Sequence, residues 1–326
     1  MKLLLTVATA ALMAAATPAL AQTYELNVSM VQSGEDPMMV GLEHVKARVE
    51  ERTNGDLTIN IFPSSQLGDT KDVMEQALAG ANSAANTDAA YLAEYVPEIG
   101  IFGAPYVFDN YQQAAEFSET ELFAGWTGQM RAESGLVVLS FNWYQGARHL
   151  LTKVEVNEPA DLAGMRIRAP QAPVWTETVA GMGGTPTPLA WGELYPALQS
   201  GVVDGAEAHI AGIYGSRLHE VVPFVELTGH IELITAFVAG DTWFSALPEE
   251  YQAILFEEFR AGGAVASDAL IAAEAEIRSK IESETGTKFV EVDRSLFSDA
   301  IAEHGAYEKV GLQDTYTAVR GAVANQ

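Results

Sequence analysis

Two arginines stand two positions apart in the segment MRIRAP (165–170), although the chain carries 44 acidic residues against 18 basic ones. In a β-strand such neighbours share a face, and Arg168 would lie at the strand end, where α/β crevices open. A guanidinium keeps its charge and grips a carboxylate with two parallel hydrogen bonds. Arg148, at the start of ARHLLT, adds a third guanidinium. The partner of these cations is either an internal acid or an incoming carboxylate.

Other chemistry is less well defined. Glu207 and His209 lie two apart and could bind a metal, but a pair satisfied by solvent or core is the preferred interpretation. Asp204 and Glu207 could act as paired carboxylates, although capping a turn is the better explanation. Trp191 follows the helix-breaking TPTPLA and could close a pocket wall, with Trp175 nearby.

The common catalytic signatures are missing. The sequence contains no GxSxG, HExxH or P-loop motif, and no GxGxxG after its first strand. It contains no cysteine, which excludes thiol nucleophiles, cysteine-ligated metals and iron–sulfur clusters. We therefore predict neither a metal nor a cofactor. The net charge of −26 also argues against binding to nucleic acid.

The elements that must position these residues alternate between strand and helix. Strand patterns cover 24–31, 56–62, 83–88, 136–144, 147–152, 165–170, 202–209 and 230–240, with amphipathic helices between most of them. Such alternation predicts an α/β fold with mostly parallel sheets. A helical pattern from about 249 to 284 is long enough to run past both halves of a two-lobed protein.

The N-terminus predicts export. Residues 1–21 carry one charge at Lys2, then an apolar run, then Ala19-Leu20-Ala21, which is the layout of a signal peptide cleaved before Gln22. Without a cysteine the mature chain would carry no lipid anchor there. We expect a periplasmic location.

The segments DLAGMRIRAP (161–170) and GMGGTPTPLAWGELYPALQSGVVDGAE (181–207) resemble the extracytoplasmic solute receptors of TRAP transporters (DctP type). The matching features are R-x-P, the G-x-P-x-P-like block, E-[hydrophobic]-Y-x-A-L-Q-x-G and V-D-G-x-E. IFPSSQLGDTKDVMEQALAG (61–80) and IGIFGAPYVF (99–108) resemble the first lobe of the same family. The resemblance covers essentially the whole mature chain.

This resemblance implies a two-lobed periplasmic binding protein fold, with a long helix bridging both lobes. Lobe I would comprise 22–145 plus about 234–273, and lobe II 146–233 plus about 274–326. A small organic acid would bind in the cleft, its carboxylate held by Arg168 and assisted by Arg148. The remaining candidate contacts are Trp191, Thr87, Asp88, Glu207, Ala208, His209 and Glu35.

One departure from the family pattern concerns the solute. Many members continue V-D-G-x-E with Asn-Pro, where this chain has Ala208 and His209. Extra room at Ala208 favours a sugar acid over a C4-dicarboxylate or another hydroxy or oxo acid. The resemblance also implies a monomer that serves the membrane subunits of a TRAP transporter. Two rival interpretations are a secreted enzyme using Glu207 or His209 as a base, and an ABC-type receptor.

Overall fold

The computed structural model describes residues 23–323 of the chain. The predicted signal peptide, residues 1–21, therefore lies outside the described residues. Within 23–323 no helix combines the length and the apolar character needed to cross a membrane.

The described chain contains nine strands and thirteen α-helices. The strands are β1 (Tyr24–Ser29), β2 (Leu57–Phe62), β3 (Ser83–Asp88), β4 (Leu136–Thr152), β5 (Arg166–Ala169), β6 (Thr185–Pro188), β7 (Gly205–His209), β8 (Phe224–Gly240) and β9 (Lys288–Val290). The helices are α1 (Met38–Arg52), α2 (Thr70–Leu78), α3 (Ala89–Leu92), α4 (Tyr111–Ser118), α5 (Glu121–Ser134), α6 (Pro173–Gly181), α7 (Leu194–Ser200), α8 (Ile210–Gly215), α9 (Asp241–Phe244), α10 (Glu249–Thr285), α11 (Arg294–His304), α12 (Ala306–Lys309) and α13 (Gln313–Val323).

These strands form one continuous sheet in the order β2-β1-β3-β8-β4-β7-β5-β6, with β9 beside β8. Five of the eight strand pairings are parallel, which confirms the predicted mixed, mostly parallel α/β sheet. We call the part built on β1–β3 lobe I and the part built on β5–β7 and β9 lobe II. The long antiparallel strands β4 and β8 belong to both.

β4 corrects the prediction of two separate strands, 136–144 and 147–152. The chain runs through Gly146 without ending the strand, because Gly146 adopts φ +105° and the register shifts there. A glycine in the left-handed region forms such a bulge readily. β4 and β8 therefore carry the sheet from one lobe into the other.

α10 confirms the predicted bridging helix and spans 37 residues. Its first half packs closely on α1: a Cβ placed at Gly41 would lie 2.3 Å from the carbonyl oxygen of Gly262. Near its other end, Glu284 accepts a hydrogen bond from the hydroxyl of Tyr214 in lobe II, at 3.0 Å. The helix thus contacts both lobes.

Two hydrophobic clusters fill the sheet faces. One lies beneath α1 and the first half of α10 and includes Trp143, Phe237 and Phe259. The other runs from the α2–α5 side of lobe I into lobe II, where Ile167 of β5 belongs to it. Together they fix the strand ends that meet between the lobes.

Candidate ligand-binding site

A cavity with about 500 Å³ of empty space, part of it open to solvent, lies where the two lobes meet. Lobe I contributes the ends of β1 and β3 and the start of α2. Lobe II contributes β5, β7 and the turn before α7, and the shared strands β4 and β8 contribute the rest. The lining residues are Val31, Gln32, Asp69, Thr70, Asn86, Thr87, Asp88, Tyr91, Gln145, Arg148, Arg168, Pro170, Trp191, His209, Leu233 and Thr235.

Arg168 is a buried cation without a carboxylate partner. Only 2% of its surface is exposed, and no ion pair within residues 23–323 includes it. Its Nε donates to the carbonyl of Leu189 at 2.9 Å, and its guanidinium lies 5.5 Å from the ring centre of Trp191. Its Nη1 is buried and has no hydrogen-bond partner. Burial lowers the pKa of this guanidinium, and the negative charge of Glu207 opposes that shift.

Arg148 already has an internal carboxylate, unlike Arg168. Its Nε donates to the side chain of Glu207 and its Nη2 to the backbone carbonyl of Glu207 at 2.7 Å. The guanidinium also lies 4.4 Å from the ring centre of Trp175. Both N–H groups of Nη1 and the second one of Nη2 make no hydrogen bond to Glu207. Arg148 lines the cavity, where the family resemblance predicted that it assists Arg168.

The carboxylate of Glu207 lies between the guanidinium of Arg148 and the imidazole of His230. Despite burial, the charge of Arg148 and the imidazole of His230, whose Nε2 lies 3.8 Å from Glu207 Oε2, keep the pKa of the Glu207 carboxyl below its ordinary value. His230 is fully buried, and its Nδ1 pairs with the hydroxyl of Thr228 at 2.9 Å. Glu207 is therefore committed to Arg148 and is not positioned as a catalytic base.

The predicted contact at Ala208 is wrong. Side chains alternate along a strand, so Ala208 points away from the face that Glu207 and His209 share. Ala206 and Ala208 are fully buried in the hydrophobic core. There is no space at Ala208 for a solute, so this residue gives no support to a sugar acid. Glu207 itself does not line the cavity, because Arg148 covers it.

His209 lines the cavity beside Trp191. The two rings are nearly parallel, with centres 6.3 Å apart and an interplanar angle of 16°. The indole Nε1 of Trp191 donates to Ser216 at 3.0 Å, which fixes its orientation. Both imidazole nitrogens of His209 are buried without a partner.

Thr87 and Asp88 lie on the opposite wall, at the end of β3. Asp88 accepts from the backbone of Ala90 at 2.8 Å, which caps α3, and from the indole of Trp175 at 3.3 Å. Trp175 belongs to lobe II, so this hydrogen bond crosses between the lobes. Burial raises the pKa of Asp88, while the charge of Arg148 opposes that shift.

A cluster of buried amides was missed from the sequence. Gln145 accepts from Gln32 at 2.8 Å and donates to Asn86 at 3.1 Å. Thr235 of β8 accepts from both Gln145 and Asn86. Gln32 Oε1 is buried without a partner. The one available signal was Asn86, which follows two alanines in the middle of a strand.

Glu35 and Arg166 lie elsewhere. Glu35 is exposed and lines a separate surface hollow with residues that include Ala211 and Lys280, because the turn before α1 projects away from the cleft. Arg166 is exposed and donates to both carboxylate oxygens of Asp204, at 3.0 and 2.9 Å. Asp204 is consequently not paired with Glu207. Across residues 23–323 no group of three or more His, Cys, Asp or Glu side chains is arranged to hold a metal ion.

Residues 28–308 match the family model described as "Bacterial extracellular solute-binding protein, family 7" (DctP). The chain belongs to this family. The family predicted from R-x-P and the motifs after it is confirmed, and it is a family of solute-binding proteins, not of enzymes.

Solved structures of TRAP periplasmic solute-binding proteins share the fold. An apo, open TRAP periplasmic solute-binding protein from Escherichia fergusonii is 42% identical, with a TM-score of 0.80 over 92% of this chain and 99% of that one. One from Actinobacillus succinogenes, with bound L-galactonate, is 27% identical, with a TM-score of 0.88 over 93% and 100%.

Among curated relatives, the ectoine/5-hydroxyectoine-binding periplasmic protein UehA of Ruegeria pomeroyi is 29% identical, over 66% of this chain and 64% of its own length. The matches to the first curated relatives span 49–64% of the length of those proteins.

Proposed function

We propose that this protein is a periplasmic receptor that binds a small monocarboxylic, polyhydroxylated acid and delivers it to the membrane subunits of a TRAP transporter. The observation that carries the proposal is the buried, unpaired guanidinium of Arg168 in the wall of the interlobe cavity. An isolated buried charge is costly, and a carboxylate is the partner that fits its planar fork.

The charges around the cavity favour one carboxylate over two. Arg148 is balanced by Glu207, which leaves Arg168 as the cation free for a solute. Asp69 and Asp88 lie on the opposite wall. A second carboxylate would face these acids without a cation of its own, which disfavours a C4-dicarboxylate.

The opposite wall suits hydroxyl groups. The carboxylates of Asp69 and Asp88 accept hydrogen bonds, and the amides of Gln32 and Asn86 can accept or donate. A chain of hydroxyls between a carboxylate at Arg168 and these groups would satisfy both walls. The L-galactonate complex of the Actinobacillus succinogenes protein supports the same class of solute.

We further propose that the lobes comprise residues 22–145 plus about 234–273 and 146–233 plus about 274–326, and that they close on the solute. The chain is more similar in structure to the L-galactonate-bound relative (TM-score 0.88) than to the apo, open one (0.80), although its sequence identity to the latter is higher. The hydrogen bond from Trp175 to Asp88 across the cleft also supports a closed arrangement.

A thermal-shift screen of refolded, solute-free protein tests the proposal. We expect aldonates or uronates to raise the melting temperature, and C4-dicarboxylates and neutral sugars to leave it unchanged. The bound acid should be recovered unchanged and stoichiometrically, whereas turnover would indicate an enzyme. Stabilisation by neutral sugars alone would contradict the proposal.

Export and assembly form part of the proposal. We expect cleavage before Gln22, no lipid anchor and a monomer that serves the membrane subunits. N-terminal sequencing of the periplasmic fraction and light scattering of the purified protein measure these properties.

A further inference from the structure

We propose that His209 is a specificity-determining residue whose neutral imidazole hydrogen-bonds an uncharged hydroxyl of the solute that Arg168 holds by its carboxylate. This inference rests on the proposed function and deepens it. It adds a requirement for a hydroxyl group at a defined place in the cavity, beyond the requirement for a carboxylate.

The first support is the missing partners of the imidazole. Both Nδ1 and Nε2 of His209 are buried and make no hydrogen bond, although 98% of the residue surface is covered. Each of the other five histidines, all within the described residues, has at least one ring nitrogen near a polar partner. A neutral imidazole presents one donor and one acceptor, which matches a hydroxyl group. Because the ring lines the cavity, the solute is the partner that can reach it.

The second support is the fixed position of the ring. Trp191 lies nearly parallel to it on one side. On another side, a Cβ placed at Gly212 would lie 2.7 Å from Cε1 of His209, so the imidazole occupies space that only glycine leaves free. On β4, Arg148 is the register partner of His209. The imidazole is therefore held against the cavity in one orientation, as a selective contact requires.

The third support is the electrostatic environment. Burial, and after it the positive charge of Arg148, lowers the pKa of His209 to about 3, while Glu207 opposes the shift. The ring is consequently neutral near neutral pH and offers no charge to a second carboxylate. This agrees with a hydroxyl partner and with Arg168 as the cavity's guanidinium without an ion pair among the described residues.

Two substitutions separate the hydrogen bond from the shape of the ring. His209→Phe keeps a planar ring but removes both nitrogens, and His209→Asn keeps one donor and one acceptor on a shorter side chain. Calorimetry would measure the affinities of L-galactonate, D-gluconate and D-glucuronate, of their monodeoxy analogues, and of hexanoate, which has no hydroxyl. The melting temperature of each solute-free variant reports whether it is folded.

We expect His209→Phe to weaken binding of the hydroxylated acid 10- to 100-fold, because a buried hydroxyl would lose its partner. The same substitution should change the affinity for one particular monodeoxy analogue less than about threefold, since that analogue lacks the hydroxyl in question. His209→Asn should recover part of the loss. The solute-free melting temperature of His209→Phe should not fall, because the lost nitrogens had no partners.

Three outcomes would overturn the inference. Equal losses for every deoxy analogue would show that His209 acts through shape alone. Hexanoate binding to the wild type as tightly as the hydroxylated acids would overturn the hydroxyl requirement and leave the carboxylate receptor standing. If no carboxylate bound to the wild type, the proposed function itself would fail.

Discussion

Arg168→Met should separate stability from binding. Arg168 is 2% exposed, and its direct contacts within the described chain are one hydrogen bond to the Leu189 carbonyl and the ring of Trp191. The negative charges of Glu207 and Asp69 also favour the guanidinium, but neither forms an ion pair with it. Burial of an ion costs several kcal/mol even after relaxation, and a cation–π contact returns about 0.5–2 kcal/mol. Methionine has a similar unbranched stem and no charge. The solute-free variant should therefore be at least as stable as the wild type.

The effect on affinity should be opposite and large. Removing one partner of a buried, hydrogen-bonded charge pair costs about 2–5 kcal/mol. At about 1.4 kcal/mol per tenfold change, this corresponds to a loss of roughly 30-fold to 4,000-fold in affinity for the carboxylate. The solute-induced rise in melting temperature should disappear at solute concentrations that saturate the wild type.

Calorimetry and thermal unfolding, both on refolded, solute-free protein, measure the two effects. Arg166→Met is a matched control on the same strand, because Arg166 is exposed and its ion pair with Asp204 lies at the surface, where water weakens such pairs. We expect that variant to bind within about twofold of the wild type. Undiminished binding by Arg168→Met would refute the assigned carboxylate anchor. A solute-free variant clearly less stable than the wild type would refute the claim that Arg168 lacks adequate compensation.

Four further substitutions test the surrounding structure. Glu207→Gln leaves Arg148 as a buried charge without its ion-pair partner. The free energy of unfolding, measured by urea titration, should therefore fall by about 3–5 kcal/mol. A fall of less than about 1 kcal/mol would contradict the ion pair. Burial raises the pKa of Glu226 to about 7 from the ordinary 4.5. Between pH 4.5 and 7 the folded protein therefore keeps a proton on Glu226 that the unfolded chain has lost. The stability of the fold consequently decreases as the pH rises through this range. Glu226→Gln should remove this pH-dependent loss of stability, which amounts to at most about 3 kcal/mol. Parallel curves of stability against pH for the variant and the wild type would contradict the raised pKa of Glu226. Gly41→Ala places a Cβ 2.3 Å from a backbone oxygen of α10 and should lower the free energy of unfolding by about 1–3 kcal/mol. Gly125→Ala, which has open space around it, should raise that free energy by about 1 kcal/mol. Equal melting temperatures for the two variants would contradict the close packing of α1 on α10.

The predictable part of the fold consists of the elements whose apolar residues repeat with a clear strand or helix period. β1 to β3 and α10 follow from alternation and helical spacing, and their observed bounds lie close to the predicted ones. β6, with the sequence TPTP, was read as a helix breaker. Prolines are tolerated there because β6 is the edge strand beside β5 and needs no amide on its open side.

In the site, Arg168 was predictable because its position at a strand end does not depend on distant residues. The ion pair of Arg148 was not predictable, because its partner Glu207 lies 59 residues away in the sequence. The two side chains meet only through the pairing of β4 with β7. The amides of Gln32, Asn86 and Gln145 belong to no motif. They meet only when three separate parts of the chain converge, so spacing along the sequence carries no sign of them.

We propose that the unpartnered atoms around the cavity couple lobe closure to the solute. Arg168 Nη1, the His209 nitrogens and Gln32 Oε1 are buried without hydrogen-bond partners, and water would satisfy them if the lobes separated. A buried polar group without a partner costs about 1–3 kcal/mol, and more when charged. Three such sites together approach or exceed the ~5.5 kcal/mol that moves a two-state equilibrium from 1:99 to 99:1. A solute that satisfies all three removes this penalty, so the groups that recognise the acid are also the groups that keep the empty receptor open.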